Sequence, residues 1–137
     1  MWNLRPVTLI MLTGLMFTFL LGCGKDDPVS PVITPPPSIN VASINVTCGT
    51  GQDCIQFSAR PDKDVLFVKV VITNPVGDEV TFNLGSSTVI DGENIALQAN
   101  DFAYFRISGE WTFVFTGNLA TGDKSSFVVT TNVNVSA

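Results

Sequence analysis

Alternation by two dominates the chain after residue 40, and no stretch there carries a convincing helical period. In 126–135 (SFVVTTNVNV), Phe127, Val129, Thr131, Val133 and Val135 share one face, and Ser126, Val128, Thr130, Asn132 and Asn134 share the other. In 111–116 (WTFVFT), Trp111, Phe113 and Phe115 alternate with Thr112, Val114 and Thr116. The stretch 65–73 is more apolar. Strict alternation puts Leu66, Val68, Val70 and Ile72 on one side and Val65, Phe67, Lys69, Val71 and Thr73 on the other, which predicts a central, well covered strand. Shorter strands are predicted over 41–47, 54–59, 78–84, 87–90, 94–98 and 102–107. One buried and one wetted face per strand is the mark of an antiparallel sandwich.

The breaks between these stretches carry Gly, Asn, Asp and Pro. Asn74-Pro75-Val76-Gly77-Asp78 joins two strong strands as a short hairpin does, with proline where no ladder donor is needed. Asp91-Gly92 and Ser108-Gly109 mark further turns. About seven to nine short strands over residues 41–137 predict one all-β domain, an immunoglobulin-like antiparallel sandwich. The order of a Val-rich strand, the Asn-Pro-Val-Gly turn and then Gly109-Glu110-Trp111-Thr112-Phe113 resembles small extracytoplasmic bacterial Ig-like modules. The widely spaced intersheet cysteine pair of antibody domains is missing. Asp101-x-Ala103 resembles the start of an antibody F strand, with Phe105 where the tyrosine of that strand stands.

The pattern before residue 41 is of another kind. Val7 to Leu21 carries no charge and follows Arg5. Crossing ~30 Å of hydrocarbon takes about 20 apolar residues, so this run is short for a permanent span. A positive start, a short apolar core and the small residues Gly22 and Cys23 read as an export signal. The stretch 28–38 (PVSPVITPPPS) then holds five of the chain's eight prolines. Such a segment favours polyproline II at ~3.1 Å per residue and reads as a spacer, with a reach of at most about 50 Å between Gly24 and Asn40. The predicted organisation is a signal peptide over 1–22, a tether over 23–40 and the sandwich over 41–137.

Leu20-Leu21-Gly22-Cys23 resembles the lipobox of bacterial lipoproteins: Leu, a small or apolar residue, Gly or Ala, then Cys. The resemblance covers only the first 23 residues. It implies that a diacylglyceryl group is attached to the Cys23 thiol, that the chain is cut before Cys23, and that the new amine is acylated. Two or more acyl chains anchor stably where one binds only marginally. Gly24 follows the cysteine, so the aspartate that retains many enterobacterial lipoproteins at the inner membrane is absent. Lys25-Asp26-Asp27 resembles the charged tag of surface-exported lipoproteins in Bacteroidetes-type bacteria. These likenesses place the protein at the outer membrane, facing the periplasm or the outside.

The full chain of 137 residues has a formal charge of −5. Losing Arg5 with the signal leaves six Lys+Arg against twelve Asp+Glu. An acidic chain without a Lys/Arg cluster does not attract phosphate backbones, which argues against nucleic acid as a partner. There is no histidine, so a Ser-His-Asp triad cannot be built.

With Cys23 taken by lipid, Cys48 and Cys54 remain, in T-C-G-T-G-Q-D-C. An even pair in an exported domain predicts a disulfide. Closing a loop of ~7 residues stabilises by about 2 kcal/mol. The spacing differs from the C-x-x-C of redox catalysts, and a zinc site lacks further ligands. Asp53, Asp62, Asp64, Asp78, Glu79, Asp91, Glu93, Glu110 and Asp123 fall almost all in predicted turns, where solvated carboxylates are ordinary, so neither an enzyme nor a cofactor is expected. Pro61-Asp62-Lys63-Asp64 and Asp91-Gly92-Glu93-Asn94 offer oxygen ligands of the kind Ca²⁺ takes, but neither follows an EF-hand loop and Lys63 opposes a cation. Asn45-Val46-Thr47 and Asn134-Val135-Ser136 match the N-glycosylation pattern, which carries no weight in a bacterial lipoprotein.

Phe102, Tyr104 and Arg106 are expected on one face, opposite Ala103, Phe105 and Ile107. An exposed aromatic pair beside arginine suits a sugar ring or a protein hot spot. The expected protein is a lipid-anchored envelope module that binds or assembles, with an envelope protein or a glycan as partner. Two other readings stay open. One is a protease inhibitor or chaperone-like accessory, because Val70-Val71-Ile72-Thr73-Asn74-Pro75 resembles a segment of small bacterial proteinase-inhibitor sandwiches. The other is a structural spacer without a ligand.

Overall fold

The computed structural model describes residues 33–137, apart from Thr50, Ser86, Asn100 and Asp101. Cys23, the export signal and Lys25-Asp26-Asp27 lie outside the described residues, as does Asp101 of the F-strand likeness. Among the described residues the chain forms nine strands and no helix. They are β1 (Ile39–Thr47), β2 (Asp53–Pro61), β3 (Val65–Thr73), β4 (Glu79–Asn83), β5 (Thr88–Val89), β6 (Ile95–Ala96), β7 (Tyr104–Phe105), β8 (Gly109–Leu119) and β9 (Ser126–Val135).

Two antiparallel sheets result. In the first, β1 pairs with one edge of β2, while β6 and β7 pair with the other edge at different heights. The second has the order β4-β3-β8-β9, with β5 beside the start of β3. Their inner faces meet in one core, and the protein is a β-sandwich. Phe57 of β2 lies against Trp111 and Phe113 of β8, with ring centroids 5.0 and 4.9 Å apart. Ile55, Val65, Phe67, Val70, Ile72 and Phe115 are buried around them. Each such side chain stabilises the fold by roughly 1.5–3 kcal/mol.

In β8 and β9 the buried positions are the ones that alternation marks. Trp111, Phe113, Phe115, Phe127 and Val135 are buried, while Val129, Thr131 and Val133 are half-buried at the sheet edge. β3 departs from strict alternation. Phe67 pairs with Gly117 and Lys69 with Thr116, so Val68 is an extra residue in the ladder. A bulge of this kind reverses which residues face inward. Val65 and Phe67 therefore face the core before it, and Val70 and Ile72 after it. Gly117 lets the strands come together there. A Cβ at that position would collide with the Leu66 carbonyl oxygen and lie 2.8 Å from the Phe127 ring.

The sandwich also begins earlier than residue 41. β1 starts at the buried Ile39, and Pro37 is buried before it. Ser38 N–H donates to Asp62 Oδ1 (2.7 Å), Asp62 N–H donates to the Ser38 carbonyl (3.0 Å), and Lys63 Nζ donates to the Pro35 carbonyl (2.8 Å). The Asp123 carboxyl is held below its ordinary value, chiefly by the Ser125 backbone amide and in part by the Thr34 hydroxyl. The compact unit thus starts at Ile33. The chain enters at the end of the sandwich formed by the 61–64 and 120–125 turns. The Cys48–Cys54 loop and the 74–78 hairpin lie at the far end.

Candidate functional site

The β1–β2 connection sets the far end. Cys48 and Cys54 form a disulfide, with Cα atoms 5.8 Å apart. Gly51 N–H donates to the Cys48 carbonyl (2.8 Å), and Gly51 takes a positive φ of 76° that favours glycine. The neighbouring 74–78 hairpin is tied internally. Asn74 Oδ1 accepts from the backbone of Val76 (3.1 Å) and Asp78 (2.9 Å), and Asn74 Nδ2 donates to Asp78 Oδ2 (3.1 Å). An Asx-type turn of this sort fixes a short loop. Val76 stands 69% exposed at its tip.

The register of β7 on β2 decides what the far end displays. Tyr104 pairs with Ile55, which faces the core, and Phe105 pairs with Cys54 on the outer row. Tyr104 therefore turns inward. Its ring lies 6.0 Å from Phe57 and 5.9 Å from Trp111, and its hydroxyl donates to the Leu97 carbonyl at 2.6 Å. Burial raises its pKa above the ordinary 10.0. Arg106 is also committed: Nη2 donates to the Ser136 carbonyl (2.7 Å), and its buried Nε has no hydrogen-bond partner.

Phe102, Tyr104 and Arg106 thus do not form one exposed face. The exposed pair is Phe102 (74%) and Phe105 (66%). Every other described aromatic ring is buried or half-buried. β7 pairs with β2, and the strand between β3 and β9 is β8. Sequence alternation missed Phe105 because residues 102–107 supply only two paired positions, and a two-residue strand carries no parity of its own.

Phe105 is the ridge between two concavities. On one side an open groove of about 500 Å³ runs over the outer face of the first sheet, between Phe102, Phe105, Val46 and the disulfide loop. On the other, a cleft of about 240 Å³ opens between the sheets, floored by Ile72, Tyr104 and Trp111, with Asn74 and Asp78 at its rim. Trp111 is held by donation from Nε1 to the Ile107 carbonyl (2.9 Å).

The carboxylates are placed differently. The two oxygen-rich loops meet near the other end, where Asp91 N–H donates to Asp64 Oδ1 (2.8 Å) and Gly92 N–H to the Pro61 carbonyl (3.0 Å). Glu93 Oε2 accepts from Ile90 N–H (3.2 Å). These oxygens tie turns together. Among the described residues no group of three or more His, Cys, Asp or Glu side chains is placed to hold a metal. Asp53, Asp78, Glu79, Glu110 and Asp123 are exposed. The Asn45 and Asn134 motifs lie at the ends of β1 and β9.

Comparison of the chain with protein-family models, with curated proteins and with solved structures found no match.

Proposed function

We propose that the protein is a lipoprotein of the bacterial outer membrane, anchored through Cys23, whose Ig-like sandwich binds a partner protein or glycan through the Phe102–Phe105 surface without catalysing a reaction. The observation that carries this reading is the exposure of Phe102 and Phe105 at the end opposite the chain's entry, on either side of which the surface is concave. Exposed aromatic side chains beside concavities suit a binding surface. The Ig-like reading is supported by the way β2–β3 and β7–β8 cross from one sheet to the other. The lipobox residues Leu20 to Cys23 support the anchor, and the disulfide suits an oxidising compartment. The test is metabolic labelling with a palmitate analogue. Label is expected in the wild-type chain and absent from Cys23→Ala, with the variant leaving the membrane fraction; label retained by Cys23→Ala contradicts the anchor.

A second reading, inhibition of a protease, is favoured by the internally bonded 74–78 hairpin with Val76 at its tip. Rigid exposed loops suit the extended clefts of proteases. A panel of envelope proteases assayed with wild type and Val76→Asp separates the two readings, because only the inhibitor reading expects a loss specific to Val76.

A further inference from the structure

Edge strands carry a row of outward backbone groups, and natural proteins guard them with short length, proline, bulges or charge. β4 through β7 follow that rule by length, with five residues in β4 and two in each of the others. β9 does not follow it. It is the terminal strand of its sheet, ten residues long, and contains no charged residue, proline or glycine. Its ladder with β8 runs from Asn118↔Ser126 to Gly109↔Val135 without a register shift, so no bulge bends the edge away. Its core-facing row is also incompletely covered: Phe127 and Val135 are buried, but Val129, Thr131 and Val133 between them are only half-buried.

β1 is a long uncharged edge as well, at nine residues. Its core-facing row, however, becomes polar after Val41, at Ser43, Asn45 and Thr47, and these residues are exposed. A strand added there covers little apolar surface. The start of β1 lies against the inner side of β9, where Thr131 Oγ1 donates to the Ile39 carbonyl (2.9 Å).

From these features we infer that β9 is a homodimer edge, at which two copies of the chain pair antiparallel through their β9 strands. The occupant is a second copy because the uncharged strand complements itself when two copies run antiparallel. A twofold axis at Thr131 sets Val129 against the other copy's Val133 and Phe127 against its Val135, so the half-buried row closes on itself. On the outer face it sets Thr130 against Asn132, a hydrogen-bonding pair, and Val128 against Asn134. A shift of this register by one residue would place core-facing side chains opposite outward ones. The pairing is independent of the Phe102–Phe105 surface, which lies on the other sheet.

The experiment uses the full chain in its membrane. Thr131→Cys places a thiol on the axis, and mild oxidation followed by a non-reducing gel reads the dimer. Thr81→Cys, on the exposed short strand β4, gives the background of chance collision. The triple variant Thr131→Cys/Thr130→Lys/Asn132→Lys sets like charges opposite each other across the axis, on side chains that face solvent in the monomer. The expected result is a dimer band well above the Thr81→Cys level that falls about tenfold in the triple variant, since each opposed like-charge pair is unfavourable. A band no stronger than that of Thr81→Cys overturns the proposal, as does a band that the two lysines leave unchanged. Sedimentation velocity of the detergent-solubilised wild-type chain reads the same equilibrium without a substitution; a chain that stays monomeric at all concentrations also overturns it.

Discussion

Tyr104 donates its hydroxyl to the carbonyl of Leu97 at 2.6 Å, seven residues upstream. This bond ties β7 to the segment after β6 across an irregular stretch that has little ladder of its own. Removing the hydroxyl with Tyr104→Phe leaves the Leu97 carbonyl without its donor while keeping the ring packing. We expect a loss of about 1–2 kcal/mol in chemical denaturation.

Tyr104 is the only tyrosine in the chain. Its ionisation can therefore be followed by absorbance without interference from another phenol. Burial raises its pKa in the folded state above the ordinary 10.0. The folded protein then holds the proton more tightly than the unfolded chain does, so the Tyr104 contribution to stability is flat below about pH 10 and falls as pH rises from there through the folded value. Tyr104→Phe removes that decline. A midpoint at or below 10.0 in the folded protein contradicts the assignment.

Gly117 is the residue that lets β8 pass the bulge in β3. Gly117→Ala sets a methyl group against the Leu66 carbonyl and the Phe127 ring, neither of which is the free end of a flexible chain. Overpacking of this kind costs about 1–3 kcal/mol. Thermal denaturation of Gly117→Ala beside Gly49→Ala, where a Cβ meets nothing within 4 Å, separates collision from the general effect of losing a glycine.

Phe57 touches Tyr104, Trp111 and Phe113 and joins the two sheets. Phe57→Ala is expected to cost about 3–5 kcal/mol, a large share of a domain's total of about 5–15 kcal/mol. Reduction of Cys48–Cys54 leaves no cavity and frees only a short loop, so its cost is about 2 kcal/mol. Denaturant titrations of the two, run side by side, should rank them in that order.

The two-sheet architecture was legible wherever a strand was long enough to show its own period. β9 read correctly in both extent and facing, because ten residues give several repeats of an apolar-polar pattern. β8 read correctly in facing, although it runs from Gly109 to Leu119 and not only over 111–116. The faces of β3 were not legible. Its residues are apolar on both sides, so nothing in the composition announces the extra residue at Val68. The true start of the domain was hidden for a different reason: Pro35 to Ser38 look like tether, and it is Asp62 and Lys63, more than twenty residues away, that hold Ser38 and Pro35. The candidate site suffered most. Tyr104 and Phe105 take their facing from Ile55 and Cys54 of another strand, which local alternation cannot supply.

The central claim is that the Phe102–Phe105 surface meets a partner while Cys23 holds the chain at the membrane. The most direct measurement is photocrosslinking in intact cells from a benzophenone side chain placed at Phe105, with Ile90, exposed near the other end, as the control position. The account expects a discrete adduct from position 105 that is absent from position 90 and is lost in Phe102→Ser and in Cys23→Ala. Equal labelling from both positions, or an adduct indifferent to Phe102 and Cys23, would contradict it.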